Sequence, residues 1–288
     1  MMNYLLLLVS VVTDTLRNMY NNHFSKELMK TDRDSVMFNA VCGIGAVIFF
    51  ICSGAEWRIS GFSLGIAACF ALVTALAQFF SLGALATGPM SYSVLFTYLG
   101  MVIPTIFGVV VYSQPLSAMQ IIGFALMLVT IFLSVDLKKD SKMSGKWFAY
   151  AMGSFIMWGL VGVFQLIHQE SEYAGEINGF LMYSFIFMTA MFFAALLFMK
   201  KPKGHSLGYM NGKITGLILV SGIILGLVNK INLFLSGVMP SIIFFPIVNG
   251  GVIILAEIAA ICVFRERPGA RQLVGIVSGV IATVLLGI

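Results

Sequence analysis

Long apolar segments alternate with short polar breaks along the whole sequence. Ten of these segments have roughly the 20 residues that a helix needs to cross the hydrocarbon core of a bilayer. A helix is expected in each because it satisfies its own backbone hydrogen bonds in lipid. The pattern therefore predicts an all-α polytopic membrane protein with ten transmembrane helices, over 3–24, 36–54, 61–83, 90–112, 118–136, 147–168, 177–199, 213–235, 241–264 and 271–287.

The composition argues against a soluble domain. Of the 288 residues, 59% are hydrophobic and 10% are charged, whereas soluble domains have about 25% charged residues. The mean hydropathy is +0.99. Residues 1–12 have no basic segment and no cleavage motif of a signal peptide, so they are expected to stay as part of the first span. The expected location is the cell membrane, with the lipid bilayer as a partner.

The basic residues are concentrated in alternate loops. Arg58 lies in a loop after an even-numbered span, and Arg17 and Lys230 lie inside spans. By the positive-inside rule, this distribution predicts that both ends of the chain are outside. The pI of about 9.0 does not indicate a nucleic-acid partner, because the cations form no continuous stripe. The other fourteen of the 17 cations follow odd-numbered spans: Lys26, Lys30, Arg33, Lys138, Lys139, Lys142, Lys146, Lys200, Lys201, Lys203, Lys213, Arg265, Arg267 and Arg271.

Metal, cofactor and catalytic motifs are absent from the sequence. The four cysteines lie inside apolar segments, without a CxxC motif or a Cys/His pair at metal-ligand spacing. No HExxH helix and no Ser/His constellation occurs, so neither a cofactor nor an enzyme activity is expected. His168 is expected at a helix end, exposed to solvent.

The two halves of the sequence contain a repeat. Residues 75–89, ALAQFFSLGALATGP, align with residues 226–240, GLVNKINLFLSGVMP. Residues 113–123, SQPLSAMQIIG, align with residues 265–275, RERPGARQLVG, at an offset one residue larger. Each half holds five spans, an odd number, so the second copy is expected to be inverted relative to the first. The predicted domains are two inverted five-helix repeats, 1–140 and 141–288.

In these motifs the sequence resembles the drug/metabolite transporter superfamily, in its ten-helix EamA-like branch. Repeats of that branch carry a Glu-x-Leu/Pro-x-x-x-Gln-x-x-Gly pattern at the end of the fourth helix, and residues 266–275 keep it. The first copy has Gln114 in place of the glutamate. The resemblance covers the whole chain and implies a secondary transporter that works by alternating access. Family members are usually drawn with cytoplasmic termini, in contrast to the charge distribution.

Polar residues inside the spans are the candidates for a substrate site, because ionisable groups are costly in lipid. Asp14, Arg17, Asn18 and Asn21 form one polar face of the first span, which is expected to line a central cavity. The alternative is that Asp14 and Arg17 only neutralise each other and hold the helix to its neighbours.

A second group of candidates lies in the second half. Asn229 and Lys230 interrupt the eighth span, and Glu257 is placed in the middle of the ninth. Lys230 and Glu257 are expected either to form an ion pair or to act separately, Lys230 on an anionic substrate group and Glu257 on a coupling proton. A sodium site at Asn249–Gly251 is a further alternative to the coupling proton.

The repeat adds candidates at matched positions. Gln78 aligns with Asn229, Gln165 with Asn21, and Trp158 with Asp14, while Tyr98 combines a ring with a polar group. The predicted function is secondary transport of a small zwitterionic or anionic metabolite, such as an amino acid or a sugar derivative, by a monomer or weak dimer. The alternative is an exporter of amphiphilic drugs or aromatic compounds. The complete set of candidates is Asp14, Arg17, Asn18, Asn21, Gln78, Tyr98, Trp158, Gln165, Asn229, Lys230, Asn249 and Glu257.

Overall fold

The computed structural model describes residues 2–28, 31–88, 90–134, 144–199, 212–262 and 269–288, with only the backbone for 21–28, 90, 91 and 260. Within these ranges the chain is helical and contains no strand. The helices are α1 Met2–Leu28, α2 Asp32–Cys52, α3 Gly61–Thr87, α4 Met90–Leu99, α5 Val102–Val111, α6 Ala118–Ser134, α7 Gly145–Gln169, α8 Ile177–Phe198, α9 Gly212–Val238, α10 Ser241–Cys262 and α11 Ala270–Gly287.

The helices coincide with the predicted segments to within a few residues. Eight helical stretches of the described chain are long and apolar enough to cross a membrane, and α6 is a shorter apolar helix of 17 residues. The prediction of a polytopic α-helical membrane protein is thereby confirmed. The 27-residue α1 is long enough as well, but Asp14 and Arg17 interrupt its apolar sequence.

Polar caps determine several helix ends. The Thr31 hydroxyl accepts a hydrogen bond from the Asp34 N–H, and the Asp34 side chain accepts one from the Thr31 N–H. This capping box starts α2 at Asp32, four residues before the predicted span. Arg33 in the same turn donates to the carbonyls of Leu196 and Met199 at the end of α8, at 2.7 and 2.6 Å. A cation is favourable there because it satisfies terminal carbonyls.

The fourth predicted span is divided into two helices. α4 ends at Leu99 and α5 begins at Val102, with Gly100 and Met101 in a turn between them. Pro104 has no N–H to donate to the carbonyl of Gly100, which instead accepts from the N–H of Ile103 at 3.1 Å. The result is a break near the middle of the fourth apolar segment, which runs from Tyr92 to Val111.

Helices from the two halves of the chain pack against each other. α1 contacts α9 and α10, α7 contacts α3 and both α4 and α5, α2 contacts α8 and α9, and α6 contacts α11. α2 and α9 approach closely where Gly45 and Gly222 face each other's helix backbone. At one end of the bundle, the Tyr4 hydroxyl lies 3.4 Å from the carbonyl oxygen of Gly287. The start of α1 and the end of α11 are therefore on the same side.

Candidate functional site

The centre of α1 carries the one salt bridge found among the described residues. Arg17 Nη1 lies 3.5 Å from Asp14 Oδ1, one helical turn away, and the two side chains are 15% and 24% exposed. The Nε of Arg17 is buried and has no hydrogen-bond partner. A contact of this length leaves donors on Arg17 and an oxygen on Asp14 free for another group.

The Asp14 carboxylate is within electrostatic range of the phenol of Tyr98 on α4. Tyr98 lies two residues before Gly100, so it stands next to the break between α4 and α5. α7 packs against the start of α5, where the backbone around Gly159 and Gly162 lies against Ile103 and Pro104. Discontinuous helices at mid-membrane are typical of substrate sites in transporters.

The guanidinium of Arg17 is also within electrostatic range of Cys42 on α2, which interacts with Ser221 on α9. The Cys42 thiol lies 3.6 Å from the carbonyl of Ile218. Arg17 thus acts electrostatically on a residue at the contact between α2 and α9. Asn18 follows Arg17 and forms no described hydrogen bond, while the side chain of Asn21 lies outside the described residues.

Trp158 belongs to a hydroxyl network between α3, α4 and α7. Its Nε1 donates to Ser81 Oγ at 3.0 Å, Ser81 Oγ lies 2.8 Å from Ser154 Oγ, and Ser154 Oγ lies 3.0 Å from Thr97 Oγ1. Gln78 is three residues before Ser81 and lies on the same face of α3. The structure therefore brings Trp158 close to the Gln78 face but gives its indole N–H a partner within the protein.

The amides of three predicted residues have different surroundings. Asn229 and Asn249 donate to the carbonyls of Leu225 and Phe245, four residues earlier in their own helices. Gln165 is 8% exposed and forms no hydrogen bond among the described residues. Of the three, Gln165 is thus the one whose amide is left to bind another group.

Lys230 lies on another face of α9 from the one that meets α1. It shares this face with Ile223, Leu227 and Phe234, which are all exposed. Lys230 itself is half-buried. Lys230 therefore lies on a different face of α9 from the residues that contact α1, the helix of Asp14.

Of the two alternatives for Lys230 and Glu257, the ion pair is not formed among the described residues. Both carboxylate oxygens of Glu257 are buried without a hydrogen-bond partner in the described chain. The two residues lie at different distances from the ends of their helices. Lys230 is 18 residues after Gly212, the start of α9, which is about 27 Å along the helix. Glu257 is five residues before Cys262, the end of α10, which is about 7.5 Å. Since these two helix ends lie on the same side, the residues are at different depths, and Glu257 is not in the middle of its span.

The structure also contains a polar cluster that the sequence did not predict, on the side of the bundle opposite to Glu257. His168 is completely buried, contrary to the expected exposure, because its ring stacks on Phe180 with centroids 4.1 Å apart. Its Nδ1 lies 3.1 Å from the Gln169 amide nitrogen, and its Nε2 lies 3.3 Å from Ser63 Oγ. Because an amide nitrogen only donates, Nε2 carries the ring proton.

Glu176 completes this cluster at the start of α8. Its carboxylate accepts from the Ser60 N–H at 3.0 Å and from the Ser60 hydroxyl at 2.8 Å. Burial acts against the charge, but the hydrogen bonds from Ser63 and Ser60 hold the pKa of Glu176 below its ordinary value of 4.5. Ser60, Ser63, His168 and Glu176 thus join the start of α3, the end of α7 and the start of α8. We call these four residues the end latch.

Replacing Glu176 by glutamine is expected to lower the thermal unfolding midpoint of the purified protein by a few degrees at pH 7. A carboxylate whose pKa is lowered in the folded state stabilises it above about pH 4.5, and this contribution is lost as the pH falls through the folded-state pKa. The wild-type midpoint should therefore fall below pH 4.5 more steeply than that of Glu176→Gln. Glu172→Gln, in the exposed part of the same loop, is the control. Parallel pH profiles for the wild type and Glu176→Gln would contradict the assignment.

An apolar crevice of about 590 Å³ lies between α1, α10 and α11. Val11, one turn before Asp14, is in its wall and faces Gly251. Tyr4 and Thr283 supply its hydroxyl groups. The crevice is therefore an almost wholly apolar space that ends one helical turn from the Asp14–Arg17 pair.

Comparisons with known proteins identify the fold alone. No family model matches the chain, and no curated protein matches it. Twenty-nine chains of solved structures match. One of these, a protein whose crystal structure has been solved, superimposes with a TM-score of 0.75 over 98% of this chain and 98% of its own, at 11% identity. A likeness at this identity shows a shared fold and does not carry a function across.

Proposed function

We propose that this protein is a secondary transporter of the drug/metabolite type, in the cell membrane, with ten spanning helices in two inverted five-helix repeats. The observation that carries the proposal is a pair of reciprocal contacts. Ser10 on α1 donates to Asn232 on α9, and Ser154 on α7 is hydrogen-bonded to Ser81 on α3. In the repeat, Ser10 corresponds to Ser154, at the same offset as Asp14 and Trp158. Ser81 corresponds to Asn232, at the offset of the 75–89 repeat. The same helix contact is therefore made twice, with the two halves exchanged.

A second reciprocal contact supports the same symmetry. Gly123 on α6 faces Leu285 and Leu286 on α11, while Gly275 on α11 faces Leu133 and Ser134 on α6. The repeat offset that aligns Gly123 with Gly275 also aligns these partners with one another. Two inverted halves related in this way have two equivalent arrangements that open to opposite sides, which is the basis of alternating access.

The centre of α1 supports a charged substrate. Asp14 and Arg17 present one charge of each sign beside Tyr98 and the broken fourth span. A zwitterion such as an amino acid, or an anionic sugar derivative, has groups that match them. Tyr98, Gln78 and Gln165 add polar groups that are not used in described hydrogen bonds. The sequence holds no P-loop, so a gradient or an exchange drives the transport.

The apolar crevice favours a second candidate function, export of amphiphilic or aromatic compounds. Its walls are aliphatic except for Tyr4 and Thr283, and it reaches the turn of α1 before Asp14. A compound with an apolar body and a charged group would fill the crevice with the first and reach Arg17 or Asp14 with the second.

The experiment is uptake of labelled solutes into proteoliposomes, with protein-free liposomes as the control. The panel holds amino acids, sugar phosphates, neutral sugars and aromatic amphiphiles. Saturable uptake of zwitterionic or anionic solutes, but not of neutral sugars, is the expected result. Saturable uptake of amphiphiles alone would move the assignment to the second candidate, and the absence of saturable uptake across the panel would contradict transport.

A further inference from the structure

Glu257 is a buried carboxylate that the Asp14–Arg17 site does not use. It lies on the face of α10 that meets α6, since Gly250, seven residues earlier, faces Met127 on that helix. Ser134 is likewise seven residues after Met127, and its hydroxyl is within interaction range of the carboxylate. Neither Glu257 oxygen nor Ser134 Oγ forms a hydrogen bond in the described chain.

Among the side chains that the structure describes, the helices around Glu257 provide no cation to neutralise it. α5 and α6 contain no ionisable residue. On α11, Arg271 is occupied by Phe132, donating to its carbonyl at 2.6 Å and lying 5.7 Å above its ring. On α1, Asp14 and Arg17 pair with each other, and the side chains of His23, Lys26 and Glu27 lie outside the described residues. α9 contributes Lys213 at its exposed start and Lys230 at another depth. Segments 135–143 and 263–268 are outside the described residues.

Among the described side chains, an ionised carboxylate at this position has no counter-charge and one hydroxyl within reach, that of Ser134, so its charge is costly at membrane depth. A bound proton removes the charge without any partner. A hard metal cation prefers six or more oxygen ligands, and the site offers the two oxygens of Glu257 and that of Ser134. The chemistry of the site therefore favours a proton as its ligand.

We propose that Glu257 is the proton-binding site that couples transport to a proton gradient, an inference that rests on the proposed transporter function. The carboxylic acid releases its proton to water when the bundle opens towards it, which leaves a carboxylate and a hydrated proton. The Ser134 hydroxyl turns to donate to that carboxylate until a proton returns from the other side. Glu257 is about 7.5 Å from the end of α10, which gives water a short route from that side.

Glu257→Gln separates coupling from substrate movement. In proteoliposomes, exchange of labelled for unlabelled substrate at equal pH is measured beside accumulation, because exchange needs no net proton movement and should lose less than accumulation does. Accumulation driven by a pH gradient should fall at least tenfold. Glu172→Gln, in an exposed loop, is the control and should match the wild type in both assays. Undiminished accumulation by Glu257→Gln would overturn the proposal.

An infrared measurement tests the proton without any substrate. Wild-type protein at neutral pH should show the carbonyl band of a protonated carboxyl group that is lost in Glu257→Gln and kept in Glu172→Gln. If the wild type transports no solute but the band is present, the proton site stands while the transporter function and its coupling fail. If the band is absent, the proton site fails whether or not transport is observed.

Discussion

Replacing Gly222 by valine should prevent α2 and α9 from packing and lower the free energy of unfolding by about 3 kcal/mol or more. Any Cβ at Gly222 would overlap the carbonyl oxygen of Cys42 and crowd Gly45 on the facing helix. Both groups are backbone, so a rotamer change cannot relieve the overlap, and the helices must separate. The fall in thermal unfolding midpoint and the loss of the monodisperse peak in size-exclusion chromatography measure the effect.

Gly216→Val is the matched control, because it introduces the same side chain into the same helix. A Cβ at Gly216 has no atom within 4 Å. Any change of stability in Gly216→Val therefore measures the effect of replacing glycine by valine in a helix, without any overlap with α2. If both variants lose the same stability, close packing at Gly222 is not what stabilises the α2–α9 contact.

The helices were predictable because a run of about 20 apolar residues has few alternatives in lipid. The break at Gly100–Met101 was not, since a proline in an apolar segment such as Pro104 or Pro246 is compatible with a continuous, kinked helix. α10 in fact continues through Pro246, whereas the fourth span is divided four residues before Pro104. The two prolines look alike in the sequence, and tertiary packing distinguishes them.

The candidate site was predictable where the signal lies within one helix. Asp14 and Arg17 are charges in an apolar segment at pairing distance, and the structure pairs them. The Lys230–Glu257 prediction compared residues on antiparallel helices without counting their depth from a common side. The end latch depends on contacts among three separate elements, and nothing local in the sequence distinguishes the serines or His168 that form it.

Neutralising the Asp14–Arg17 pair is expected to abolish transport while preserving the fold. Asp14→Asn alone leaves the guanidinium in the bundle without its counter-charge, so stability and flux should both fall. The double variant Asp14→Asn/Arg17→Gln removes both charges, and its unfolding free energy should return to within about 1 kcal/mol of the wild type. Its saturable flux of a charged solute should nevertheless remain at least tenfold below the wild type.

This comparison separates a binding site from a structural ion pair, because the two hypotheses differ only for the double variant. A pair that merely holds α1 in place is no longer needed once both charges are gone, so flux would recover together with stability. A pair that binds the substrate's charges leaves a stable protein without its ligands, and flux stays low. The control is Arg58→Gln/Glu172→Gln, which removes one charge of each sign from exposed loops. Recovery of flux in the Asp14→Asn/Arg17→Gln protein would make the centre of α1 structural and leave the apolar crevice as the better candidate for the substrate.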